Sequence, residues 1–376
     1  MFNIRFLALA VGMGCVSSSA FSNTFSADAR SMAMGNTGVV SADFLTAPFH
    51  NPALGAAYRT EDDFGILIPA IGATVYDKDD ALTTIDDAQD LYDGLGNTPS
   101  QSDLDKLDDY LTDLSEAQPL NVNAGLAMAI SIPNQYMSTN LFASSYVELI
   151  TDAEIGNETD PQDRYDNAEI ATTGFGLVEF GVALAKEFTI AGERVSFGVS
   201  PKYQDLRTYS DISTLDDFDL DDYDQSEISE SAFNLDLGAV WYKGNWRVGV
   251  VGKNLIKQEI DTMYTDLTYT LSPTYTLGAG YAAQLLTATV DVDLTEQERF
   301  DFEGDETQFL RLGLELNAWD WAQLRAGYEK DLADNLEDSF TAGIGISPWD
   351  LVSLDLAGSY AGDNQFGASA NLAFTF

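Results

Sequence analysis

The chain has 376 residues, 45% of them apolar, enough for a large core. Its 61 acidic against 18 basic side chains leave a formal charge of −43, which excludes nucleic-acid binding through a basic face. Mean hydropathy is −0.11, and no apolar run beyond the N-terminus reaches the roughly 18 residues of a spanning helix, so the chain is either soluble or a membrane barrel whose strands alternate their apolar side chains.

Residues 1–20 read as a secretory signal peptide. Arg5 is the basic start, Phe6 to Val11 the apolar centre, and Ser18-Ser19-Ala20 a small-residue cleavage site. Cys15 invites a lipoprotein reading, but Gly12-Met13-Gly14 does not supply the leucine expected three residues before an acylated cysteine. Cleavage after Ala20 removes the one cysteine, and with it disulfides, thiol catalysis and cysteine-bound metals.

Residues 21–62 are rich in Ala, Gly, Ser, Asn and Met, without clean periodicity. They read as a flexible leader or as a compact plug. Asn51-Pro52 is a turn signal within them. Residues 63–76 give a first strand. The next stretch, 77–120, differs from the rest: Leu104, Leu107, Leu111 and Leu114 fall at helical spacing with Ser102 as N-cap, and Leu82, Ile85 and Leu91 mark a shorter helix before it. This reads as a helical hairpin inserted after the first strand, on the extracellular side.

From residue 121 the pattern is β. Strands are expected at 121–132, 136–152, 167–188, 193–208, 229–242, 245–256, 272–283, 284–294, 305–317, 321–331, 337–347, 350–361 and 364–376, making about fourteen with the first. Alternation is cleanest late. Leu310, Leu312, Leu314 and Leu316 oppose Arg311, Gly313, Glu315 and Asn317. In the final strand Phe366, Ala368, Ala370, Leu372, Phe374 and Phe376 share one face. A terminal strand needs partners on both edges, and barrel closure supplies both.

The connections alternate between short turns, such as 133–135 and 243–245, and long loops, such as 77–120, 209–228 and 257–271. Membrane barrels place short turns on the periplasmic side and long loops outside. Trp241, Trp246, Trp319, Trp321 and Trp349 all lie at short turns, where a periplasmic aromatic girdle would sit. The expected fold is therefore all-β: an antiparallel transmembrane β-barrel of about fourteen strands over 63–376, in the outer membrane of a Gram-negative bacterium. Pro201 and Pro273 are candidate wall kinks, because proline brings no N–H to a ladder.

At the N-terminus, ADARSMAMGNTGVVSAD followed by HNPAL, ahead of a β-rich body ending in Phe, resembles the FadL-like outer-membrane transporter superfamily. Length and the helical insertion are similar to its TraF-like branch, known for conjugal-transfer outer-membrane proteins. The motif covers about residues 27–55. The resemblance implies a fourteen-stranded barrel with an N-terminal hatch, and assigns Asn51, Pro52 and Ala53 to the hatch turn. Phe374 and Phe376 match the terminal signal read by the barrel-assembly machinery. The thioredoxin-like F-plasmid protein that shares the TraF name is a different matter, since this chain has no Cys-x-x-Cys. The strongly acidic segment between the first two strands sets this chain apart from fatty-acid transporters, because like charge opposes a fatty-acid anion.

No catalytic site, metal or cofactor is expected. His50 is the sole histidine, and nothing in the sequence places a nucleophile beside it. The run Asp216, Asp217, Asp219, Asp221, Asp222 and Asp224 reads as a solvated acidic loop, not a calcium loop. Arg311, Glu315, Arg325, Glu329 and Asp355 fall on inward faces, to line a lumen or to hold the plug through Arg30 or Asp43, with His50 a further polar contact. Two roles stay open. One is a passive channel for a hydrophobic or amphipathic small molecule. The other is a structural component of a conjugation or secretion apparatus, with envelope proteins as partners. Both place the chain against outer-membrane lipid.

Overall fold

The computed structural model describes residues 27–96, 98–219, 226–263, 267–300, 306–318, 321–348 and 351–376. The expected signal peptide with Cys15, Trp319, Trp349, and Asp221, Asp222 and Asp224 of the acidic run lie outside these residues.

The wall is one closed antiparallel sheet of fourteen strands. In chain order they are β1 Gly65–Tyr76, β2 Leu120–Ile132, β3 Ser138–Glu154, β4 Glu169–Ile190, β5 Glu193–Thr214, β6 Glu227–Lys243, β7 Trp246–Lys253, β10 Thr274–Ala282, β11 Leu286–Asp293, β12 Phe309–Ala318, β13 Ala322–Asp331, β14 Ser339–Ile346, β15 Val352–Gly362 and β16 Gln365–Thr375. The missing numbers, β8 Gln258–Asp261 and β9 Thr268–Leu271, form a separate two-stranded sheet. Every wall strand pairs with its neighbours in sequence, and β16 closes the cylinder by pairing with both β15 and β1.

Period-two alternation fixes which side chains face out. One ladder row runs Leu312, Tyr328, Phe340, Tyr360, Phe366 and Val75 across six strands. Phe340 and Tyr360 are 65% and 56% exposed in the free chain, as a surface meant for acyl chains would be. The intervening positions on these strands face the interior, where Arg311, Glu315, Arg325, Glu329 and Asp355 are all buried. A sandwich would bury the apolar face instead. Trp241, Trp246 and Trp321 are exposed beside short turns.

The register breaks once on both sides of β1, between Leu67 and Ala70. Pro69 sits in this gap and has no N–H to give to a ladder, which accounts for the bulge. Neither anticipated proline does this. Pro201 keeps its pairing with Leu235, and β4–β5 pairing resumes in the same register from Lys202 to Val199; Pro273 lies outside β10.

On the long-loop side, helices Ala81–Gly94 and Gln101–Glu116 form the hairpin. Ser100, not Ser102, caps the second helix, its side chain accepting from the Asp103 N–H. Leu107, Leu111 and Leu114 turn inward onto Ile85, Ala88, Tyr165 and Leu215. The loops carry more structure than their acidity suggests. Pro161–Asp166 is a short helix capped by Asp160, and the 257–271 connection holds β8 and β9.

Candidate functional site

Residues 27–58, within the stretch expected as a hatch, pack against inward side chains of the wall. The stretch has little regular structure: one short helix, Ala29–Ala33, and two 3-10 turns, Ala47–Phe49 and Pro52–Ala56. A buried irregular segment must satisfy its backbone through side chains. The wall provides them. Asp291 accepts from the N–H groups of Gly38 and Val39 at 2.7 and 3.0 Å, Asn371 from that of Ala29 at 2.9 Å, and Thr341 from that of Gly35 at 2.9 Å. Arg247 donates to the Val40 carbonyl at 3.1 Å and Lys253 to that of Phe49 at 2.9 Å.

Within the hatch, Asn51 is fully buried. Its Nδ2 donates to the Val39 carbonyl at 2.9 Å, and its Oδ1 accepts from the Ala53 N–H at 3.1 Å. Pro52 opens the turn, and Ala53 and Leu54 pack on Val39, Val40 and Val240. His50 lies 3.4 Å from Asp28, Nε2 to Oδ2, and its ring occupies the space a Cβ on Gly38 would need. Two ends of the hatch are thereby tied together. Burial works against the Asp28 charge, but His50, Arg30 and the Arg30 N–H outweigh it and hold the carboxyl below its usual range.

Arg30 is the hatch's main charged contact with the wall. It grips Glu315 at two points, Nε to Oε2 at 3.0 Å and Nη2 to Oε1 at 3.1 Å. Burial disfavours the guanidinium charge, yet Glu315 more than offsets this and raises the Arg30 pKa. Glu315 also accepts from Arg325 at 2.7 Å; Arg325 reaches Asp355, and Asn371 donates to Asp355 at 3.1 Å. Because Asn371 accepts from the Ala29 N–H, the chain of bonds returns to the hatch residue beside Arg30. A second group joins Arg311 to Glu329 at 2.7 Å and to Asp293 at 2.9 Å, with Asn36 donating to Glu329 at 3.1 Å. Asp43 is not part of either group. It accepts from the N–H groups of Leu45 and Thr46, both at 2.9 Å, and so shapes its own turn.

The fit is closest where the wall has glycine on its inner face. A Cβ on Gly327 would fall 2.0 Å from Gly35 N, one on Gly198 2.2 Å from Ala53 N, and one on Gly238 1.9 Å from the Asn51 Oδ1. Only hydrogen at these positions leaves room for the hatch backbone. Neither this glycine seat nor the roles of Asp291, Asn371 and Thr341 were anticipated from the sequence. The available signal was their phase, since each is in register with the inward charges.

Between the hatch and the long-loop rim are two voids. One holds about 60 Å³, lined by Asn36, His50, Lys253, Asp291 and Arg311 among others; the second holds about 50 Å³, beside Asn36, Tyr76, Glu148, Arg299 and Glu329. Both linings mix charged and polar side chains with apolar ones, Val39, Phe49 and Val251 in the first and Met32, Phe309 and Leu336 in the second. No cluster of His, Cys, Asp or Glu suited to a metal ion occurs among the described residues.

Residues 48–293 match the family model described as "F plasmid transfer operon, TraF, protein". The chain belongs to this family. Among curated proteins no sequence matches this TraF-family chain. Its fold is shared with solved structures at low identity. The Ralstonia pickettii toluene transporter TbuX is 12% identical, with 96% of this chain and 99% of that one covered and a TM-score of 0.55. The CymD monoaromatic hydrocarbon channel is 10% identical, with coverage of 93% and 97% and a TM-score of 0.55. A TodX deltaS2S3 mutant monoaromatic hydrocarbon channel is 10% identical, with coverage of 95% and 99% and a TM-score of 0.53. At this identity the likeness concerns the fold alone, a closed fourteen-strand barrel.

Proposed function

We propose that this TraF-family chain is a passive outer-membrane channel for small hydrophobic or amphipathic molecules, and not an enzyme. The observation that carries the reading is the architecture: a fourteen-strand barrel, apolar outside, with its bore closed by a hatch seated on inward glycines and ion pairs. Structures of that architecture include proteins named as a toluene transporter and as monoaromatic hydrocarbon channels. Beside the hatch, voids of about 60 and 50 Å³ are smaller than the ~150 Å³ of an apolar cavity that takes benzene. Passage requires the loop-side cover or the hatch to move. The assay is uptake of radiolabelled toluene and benzyl alcohol by Escherichia coli proteoliposomes carrying the purified chain. Uptake above empty vesicles supports the reading, and equality with empty vesicles rejects it.

A second reading, a structural component of a conjugation apparatus, is favoured by the family description and by the hairpin, whose outward face carries Asp86, Asp90, Asp105 and Asp109. Its test is transfer frequency. Deleting the gene should lower mating efficiency if the chain serves the apparatus, and leave it unchanged if the chain is only a channel. In either role the exposed Phe376 and outward Phe374 would be read by the barrel-assembly machinery.

A further inference from the structure

The outward face of β4 carries one charge in an apolar row. Ala183 and Ala185 are buried and point inward, so Leu184, Lys186, Phe188 and Ile190 point out. Lys186 is exposed and lies close to the turn at Ala191 and Gly192 that joins β4 to β5 on the short-turn side. Across the ladder it stands opposite Phe197, and the row continues through Ala239, Val250 and Leu277. A charge in such a row is costly at the bilayer midplane and tolerated near the interfaces.

The direction of the side chain meets that cost. Its Nζ lies 5.6 Å from the centroid of the Phe188 ring, which is nearer the turn. The methylene stem thus runs down the apolar wall while the ammonium drops towards the interface, over an aromatic face. Phe188 stands opposite Val195, and Val195 opposite Trp241, so the ammonium comes down to the row of an exposed tryptophan. Tryptophan marks the headgroup level of a membrane protein.

The protein supplies no anion there. The other outward basic side chains of the described wall strands are all paired: Arg207 with Asp205 and Glu227, Lys243 with Glu193, and Lys330 with Asp334 and Asp338. Lys186 forms no ion pair among the described residues. Glu187, its neighbour in sequence, points to the opposite face and is held by Arg194 at 2.6 Å. The chain has 61 acidic side chains, yet this cation is left to find its counter-ion outside the protein.

We infer that Lys186, with the rings of Phe188 and Phe197, binds the headgroup phosphate of an acidic glycerophospholipid in the leaflet on the short-turn side. The ammonium brings a point charge and three donors to the phosphate. The two rings, both exposed, with centroids 6.0 Å apart and planes at 61°, give the acyl chains an uneven apolar surface to lie against. An acidic headgroup is preferred to a zwitterionic one, whose own ammonium already answers its phosphate. The inference rests on the apolar outer face of the barrel and not on what the barrel transports.

The test is native mass spectrometry of the full chain released from detergent micelles, after it is offered equal amounts of phosphatidylglycerol and phosphatidylcholine with the same acyl chains. One lysine at the headgroup layer is worth about a fivefold preference for the acidic lipid. Lys186→Leu continues the apolar row and so keeps the barrel; it should lower the preference by about that factor. Lys186→Arg should retain it. Lys243→Gln removes the same charge from a lysine already held by Glu193 and should leave the preference in place. Heat-modifiable migration shows that each variant is a closed barrel. An unchanged preference in folded Lys186→Leu, or an equal loss in Lys243→Gln, overturns the site. Equal uptake of the two lipids by the unaltered chain overturns the site alone, whereas uptake of neither overturns the site and the membrane barrel together.

Discussion

Arg30 and Glu315 are joined by two parallel hydrogen bonds, a hatch side chain held by a wall side chain 285 residues later in the sequence. Glu315 is shared with Arg325, so one carboxylate serves both the lock and the wall. Removing one partner of a buried ion pair leaves the rest uncompensated, at a cost of about 3–5 kcal/mol. Glu315→Ala should therefore raise ion conductance in planar bilayers and lower the urea midpoint. Arg30→Ala should raise conductance with a smaller loss of wall stability, because Glu315 keeps Arg325. Silent, shut channels in both variants would show that the pair does not hold the hatch.

Neutralising Arg311 and Arg325 together strips the charge partners from Glu329, Asp293, Glu315 and Asp355. Arg311→Gln with Arg325→Gln should give larger conductance than either change alone. The quantity to compare is the single-channel current, alongside heat-modifiable migration to show that the barrel is closed.

The glycine seat gives a steric test. Gly327→Ala places a methyl 2.0 Å from a hatch nitrogen, while the same change at Gly358 meets nothing nearer than 3.6 Å. Overpacking of this kind costs about 1–3 kcal/mol or more. Gly327→Ala should unseat the hatch and expose its 27–58 segment to protease in intact vesicles, and Gly358→Ala should not. Equal protection in the two variants would remove the seat from the account.

Acid should loosen the hatch from within. Asp28 titrates below its ordinary carboxylate value in the folded chain, so its contribution is complete above about pH 4 and disappears as pH falls through the depressed value. The groups facing it are His50, Arg30 and the more distant Asp355. Conductance should rise between pH 5 and pH 2 in the unaltered chain. Asp28→Asn should be leaky already at pH 5 and respond less to that step.

The outer face responds differently to charge. Leu314 is an outward residue between two inward ones on β12. Leu314→Arg should cost about 2–4 kcal/mol if its level is the bilayer midplane. Measuring refolding into lipid vesicles separates this from changes at lumen positions, which should refold normally.

The barrel was legible because alternation is a local signal repeated fourteen times. Leu310 to Asn317 show side and register with no knowledge of their partners. Contacts that depend on shape were not legible. Gly327, Gly238 and Gly198 read as ordinary strand glycines until the hatch lies against them. Asp43 looked equivalent to Arg30 as a hatch charge, but a residue two positions before a free N–H is readily claimed by its own turn, as its bonds to Leu45 and Thr46 show. The β8 and β9 strands are four residues each, too short for alternation to stand out from a polar loop. Proline alone does not tell a bulge from a regular ladder position: Pro69 lies in the register shift of β1, while the ladder of Pro201 with β6 runs on unbroken.

The rim of this barrel is far from level. β4 and β5 have 22 residues each, β7 and β14 only 8. At the height where β7 ends, marked by Gly252 opposite Leu237 and Leu237 opposite Val199, β5 still continues to Thr214. A membrane strand needs about 9–11 residues to cross the hydrocarbon layer. The extra length of β4 and β5 therefore stands clear of the hydrocarbon layer, as a one-sided parapet on the side of the long loops.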